Sequence, residues 1–203
     1  MPNWVMNVVR FDCNDERMNE IKTAITDDKG NIDFNKIIPM PESLNLTSGS
    51  ITERSLDCYH NQDQRAALIK KYNISHETFD AYIELGKIYD LNIRKYGFPT
   101  WYEWGIANWG TKWNATETYW NSNNIATFET AWSCPITIFE KISEKYPDVP
   151  FEVAFADEDI GNNCGVLLYT GGEGVEISPF RGEEEAVEFA ESIWDGKFEF
   201  EGE

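Results

Sequence analysis

Asn108, Trp109, Lys112, Trp113 and Asn114 place two amides, two indoles and a cation within seven positions. Such a set suits a pocket, because indoles supply apolar walls while amides and an ammonium orient a ligand by hydrogen bonds and charge. The same residues also suit a purely structural role. Indoles pack a lobe against a sheet, a lysine stem lies along apolar surface, and asparagines bond turn backbone. The run contains no nucleophile with a base beside it, so the structural role takes precedence and no catalytic residue is assigned.

Other stretches with chemical potential are weaker. Cys58 and His60 are close in sequence, but a thiolate–imidazole pair is defined by spatial geometry, and on an extended segment neighbours point apart. Asp157-Glu158-Asp159-Ile160-Gly161-Asn162-Asn163 has the density of acids of a calcium loop, yet its glycine falls at the fifth position and no acid follows at the twelfth. It reads as a solvated turn. Gly171-Gly172-Glu173-Gly174 lacks the lysine of a phosphate loop and reads as a hairpin turn. The four cysteines stand 45, 76 and 30 positions apart, with only two histidines besides. No pair has the spacing of a zinc or iron–sulfur site, so neither a metal nor a cofactor is indicated.

Charge is the dominant global feature. The 203 residues carry 17 basic and 36 acidic side chains, a net −19, and from Phe151 onward there are 15 acidic residues against 2 basic. Binding a phosphate backbone or an anionic membrane draws on lysine and arginine, so neither direct nucleic-acid nor membrane binding is expected. An acidic surface keeps a protein soluble and attracts basic proteins. With no basic-then-apolar leader and no apolar run of about 20 residues, the expected location is the cytoplasm.

The elements follow from periodicity. Trp4–Phe11 reads as a strand, a helix runs from Asn14 or Asp15 to Thr26, and Ile32–Pro41 reads as a docked or edge segment limited by prolines. Residues 42–61 read as a polar, mobile loop. Helices follow at 63–72 and from Ser75 to Gly97, the latter with Phe79, Ile83, Leu85, Ile88, Tyr89 and Ile93 as its apolar face. Thr100 caps a short helix in the tryptophan run. Strands at 116–120, 125–132, 151–156, 165–170 and 175–180 are separated by a helix beginning near Pro135, and a helix over 183–194 ends the pattern. Residues 197–203 are expected to fray.

Without the segment between about Pro39 and Asn114, the order is strand, helix, strand, strand, helix, strand. That is the split βαβ, ferredoxin-like order, an α+β fold with an antiparallel sheet and both crossover helices on one face. The chain thus reads as one domain over 1–203, with a helical, Trp-rich insertion at about 41–113 and an acidic extension from about 160. Met1-Pro2-Asn3-Trp4, Phe34–Pro41, Trp109–Ala115 and Phe128–Ser133 together resemble the YubB-type ferredoxin-like family over about residues 1–160. One departure is Ser133-Cys134-Pro135, where the family pattern has a proline before Pro135. The resemblance implies a ferredoxin-like domain carried on plasmids, phages and integrated elements of bacteria, and it implies no particular activity.

Three functions remain open on these grounds. The leading one is non-enzymatic binding of a basic host or element-encoded protein, including mimicry of nucleic acid, through Glu183, Glu184, Glu185 and Glu188. The second is a small-ligand-binding protein or enzyme with its pocket at Asn108, Trp109, Lys112, Trp113 and Asn114. The third, opposed by charge, is RNA binding on an open sheet face. Oligomeric state is not legible.

Overall fold

A computed structural model describes residues 3–177 and 180–200. The chain divides into two compact units, Met1–Pro39 with Ile106–Glu203, and Met40–Gly105.

The first unit is built on a six-stranded antiparallel sheet of β1 (Trp4–Phe11), β2 (Thr116–Trp120), β3 (Ile125–Ala131), β4 (Phe151–Asp157), β5 (Cys164–Thr170) and β6 (Glu173–Ile177). Their spatial order is β2-β3-β1-β4-β5-β6. The first four strands therefore have the ferredoxin-like arrangement, and β5 and β6 extend it as a hairpin. Direct pairing of Asn7 with Phe128 and Phe155, and of Phe11 with Phe151, sets the faces. Val5, Asn7, Val9 and Phe11 point to one side with Phe128, Phe151 and Tyr169; Met6, Val8 and Arg10 point to the other with Ala154 and Ala156.

The first face is covered by helices α1 (Asp15–Ile25), α2 (Phe34–Ile37) and, later in the chain, Ile136–Lys145. Asn14 caps α1 by accepting from the Arg17 N–H, and Met18, Ile21 and Ile25 form its buried stripe. Phe139 of the Ile136–Lys145 helix lies 6.1 Å from Phe128 and 6.2 Å from both Phe151 and Tyr169, ring centre to ring centre. Within the 32–41 segment, expected as an edge segment or a docked loop, Phe34–Ile37 is helical. Asp33 accepts from the Asn35 N–H and winds Phe34–Ile37 into one helical turn, which seats Phe34 against Phe128.

The second unit is helical: α3 (Ser50–His60), α4 (Arg65–Tyr72) and α5 (His76–Tyr96), followed by α6 (Trp101–Trp109), which runs on into the first unit. Residues 50–60 are therefore helix, not mobile loop. The sequence looked loop-like because the buried face is Thr52, Ser55 and Cys58, small residues at helical spacing. Small residues are what a close crossing needs. A Cβ on Gly86 of α5 would lie 2.1 Å from the Ser55 carbonyl oxygen, so the two backbones meet there. This crossing also turns α5 away from the expected face: Phe79, Gly86 and Tyr89 are buried, whereas Ile88 is 44% exposed and Ile93 36%.

The last helix, α8 (Glu183–Trp194), lies on the second face of the sheet, with the Ile136–Lys145 helix being α7. Its Ala190 and Ile193 pack with Val8, Ala154 and Ala156, joined by Phe200. Residues 198–200 consequently do not fray, since Phe200 is buried and Arg10 stacks 4.7 Å above its ring. Residues 201–203, Met1, Pro2, and the Ser178–Pro179 end expected for β6, lie outside the described residues.

Gly86→Ala forces α3 and α5 apart against backbone atoms and is expected to destabilise the helical unit by about 3 kcal/mol, the upper range for an overpacked contact. Thermal unfolding followed by circular dichroism checks it, and an unchanged transition would mean that the helices do not meet at Gly86.

Candidate functional site: a tryptophan cluster at one end of the sheet

The segment after α6 is stitched to the end of β3. Gly110 adopts φ +75°, a backbone conformation that favours glycine, and the chain turns there. The Thr111 hydroxyl then donates to the Ala131 carbonyl at 2.7 Å, and the Ser133 hydroxyl donates to the Gly110 carbonyl. Trp109 is left inside, its indole N–H donating to the Ile38 carbonyl at 2.9 Å and its ring edge-on to Phe34 at 5.8 Å. Asn114 is equally committed. Its side-chain oxygen accepts from the Phe34 N–H at 2.8 Å and the Ala115 N–H at 3.0 Å, while its amide donates to Asp33 at 2.8 Å. Two of the five residues singled out in this run thus hold α2 in place, and Asn108 is half-buried near the end of α6.

Lys112 and Trp113 have a different setting. The Lys112 ammonium sits 4.3 Å from the Trp113 ring centre and 4.7 Å from that of Trp132, inside the range at which an indole face attracts a cation. Trp4 completes the group, 5.8 Å from Trp113. Reasoning along the chain missed Trp4 and Trp132 as partners of this pair, because they meet it only through strand pairing, Trp4 standing opposite Ala131. Trp132 has φ +74° and is 40% exposed, an uncommon conformation for a bulky side chain. Its N–H donates to the Asn3 carbonyl at 2.9 Å, and its carbonyl accepts from the Asn163 amide at 3.2 Å.

Carboxylates stand at this end of the sheet. Glu158 accepts from the Trp4 N–H at 3.2 Å, and its own N–H donates to the Trp4 carbonyl at 2.9 Å. Glu129 lies two positions before Ala131, on the same sheet face as Trp4. Burial pushes its carboxyl above the usual range, and the negative charges of Glu117 and Glu158 push it in the same direction.

Glu183, Glu184, Glu185 and Glu188 are all exposed on α8, Glu185 accepting from the Arg181 N–H at 2.8 Å. The Trp194 indole donates to the Asp157 carbonyl at 3.0 Å and pins the far end of that helix. The 157–163 stretch is a turn closed by Asp157, which accepts from the Asn3 amide, the Asp159 N–H and the Asn163 amide. Cys58 is buried with Leu68 and Phe79, whereas His60 faces the partly exposed side of α3 and bonds Asp90 at 2.9 Å. The two are not paired. All four cysteines are free, and burial raises the Cys134 thiol well above its ordinary value. Among the described residues no group of three or more His, Cys, Asp or Glu is placed to hold a metal ion, and no helix is long and apolar enough to cross a membrane.

With this geometry in hand, residues 108–197 match the family described as a ferredoxin-like domain in Api92-like protein. The chain is also similar to the crystal structure of a protein api92 from Yersinia pseudotuberculosis, at 8% identity and a TM-score of 0.43 over 90% of this chain and 100% of that one. No curated protein matches it.

Two measurements test the site's electrostatics and packing. Asn114→Ala leaves the buried Phe34 N–H without its acceptor and is expected to cost about 2 kcal/mol, read from chemical denaturation. Glu129 holds its proton more tightly in the folded chain than in the unfolded one, so it favours folding at low pH and opposes it as pH rises through its elevated value. Glu129→Gln should therefore melt higher than wild type at neutral pH, with the gap closing on acidification; a gap that persists in acid would show that burial of the charge is not the cause.

Proposed function

We propose that this is a cytoplasmic, non-enzymatic accessory protein of a bacterial mobile element, as its resemblance to the YubB-type family implies, and that it binds a basic protein without binding nucleic acid directly. The observation that carries this reading is the setting of α8. Its Ala190 and Ile193 pack on the sheet, and Glu183, Glu184, Glu185 and Glu188 are left exposed on the same helix. The charge is also partitioned between the two units. The sheet unit has 27 acidic and 10 basic residues, a net −17, whereas Met40–Gly105 has 9 and 7, a net −2. A field concentrated in this way steers encounter with a basic surface. Mimicry of nucleic acid is one form of the interaction, with carboxylates standing where phosphates stand.

The RNA-binding alternative has little support here, since α8 and Phe200 cover the β1 and β4 part of the second sheet face, where an open platform for stacking bases is needed. A small-ligand pocket over Asn108–Asn114 loses two of its members to internal bonds, Trp109 and Asn114.

The test compares the wild type with a variant carrying Glu→Lys at positions 183, 184, 185 and 188. Basic proteins captured from bacterial lysate at low salt should be released at moderate salt or by added duplex DNA, and should be absent from the variant. Identical capture by both forms, or none by either, would assign the charge to solubility.

A further inference from the structure

We propose that Trp4, Trp113 and Trp132 form a receptor for a lysine side chain of a partner protein, and that Lys112 occupies it in the free protein as a displaceable internal stand-in. The class of partner rests on the basic-protein reading above, but the site is separate from the acidic edge of α8.

The first support is that the site already holds the group it is inferred to bind. An alkylammonium lies over two indole rings, 4.3 and 4.7 Å from their centres, and a third indole lies 5.8 Å from one of them. Ammonium groups are recognised in aromatic surroundings of this kind because each ring presents a negative face. Secondly, carboxylates stand at the end of the sheet that carries Trp4. Glu158 is bonded to the Trp4 backbone, and Glu129 stands on the same sheet face with its carboxyl pushed up by burial and by neighbouring negative charge. The third support is independent of charge. Trp132 holds φ +74° with an indole 40% exposed, so the fold bears local strain there without burying the side chain fully. Strain of this sort persists where a side chain's position matters more than its local stability. Finally, a lysine on a flexible four-carbon stem can leave by rotating its own bonds, so exchange with an incoming lysine needs no backbone motion.

The occupant lowers apparent affinity in proportion to the time it fills the site. The experiment titrates Nα-acetyl-lysine methylamide into the full chain, following the indole N–H resonances by NMR, with the norleucine analogue as the uncharged control. Lys112→Met, which removes the charge and keeps the stem length, is expected to bind the lysine probe roughly tenfold more tightly than wild type, as for a site filled about nine-tenths of the time. Shifts should be confined to Trp4, Trp113 and Trp132, and the norleucine analogue should cause none. Trp132→Gly, added to Lys112→Met, suits the left-handed backbone and should keep the melting temperature while abolishing the gain. Equal probe affinity in wild type and Lys112→Met, or a gain that survives Trp132→Gly, overturns the proposal. Should Lys112→Met not fold, excess probe on the wild type must shift the Lys112 ammonium resonance, and no shift is equally fatal. Adding the four Glu→Lys changes on α8 should leave probe binding at the indoles in place, so loss of the basic partner and failure of the lysine site are read separately.

Discussion

The packing of rings across one face of the sheet is the constraint from which the rest of the first unit follows. Trp109 meets Phe34, Phe34 meets Phe128, and Phe128 leads through Phe139 to Phe151 and Tyr169, the last two stacked at 4.7 Å. Each ring buries roughly 150–250 Å², and together they join β3, β4 and β5 to α2 and α7. Because this series begins at Trp109, the chain returning through α6 is held at the sheet by the same packing that makes the core.

That anchoring explains why the next few residues serve a different purpose. Trp109 points inward and Asn114 is bonded to α2, so Lys112 and Trp113 between them are held beside Trp132 and Trp4. The order of tryptophans along the chain therefore does not divide core from surface. Hydrogen bonds at Thr111 and Ser133 do, by fixing which way each residue of a short turn must face.

The second face of the sheet has an equally physical account. A six-stranded antiparallel sheet with helices on one side leaves an apolar strip on the other, here Val8, Ala154 and Ala156. Covering it with α8 removes that strip from water and simultaneously exposes the helix's acids. Burial of Ala186, Ala190 and Ile193 and exposure of Glu184, Glu185 and Glu188 are one event, because residues three or four apart share a helix face.

Much of the fold was legible in the sequence. Alternation and helical spacing determined β1, β3, β4, α1, α7 and α8, and their order determined the split βαβ topology, since period-2 and period-3.6 patterns are local properties of the chain. The 50–60 helix was not legible, because its buried face is Thr52, Ser55 and Cys58 and owes its burial to Gly86, some 30 residues later. Nor was the end of the chain, whose Phe200 is ordered by a surface that only the assembled strands create. The sequence by itself determined that a tryptophan-rich run with Lys112 inside it and an excess of acids belong to this protein. Which indoles line the core and which surround Lys112 was decided only by tertiary structure, because strand pairing brings positions 4, 113 and 132 to one place and no local pattern records that meeting.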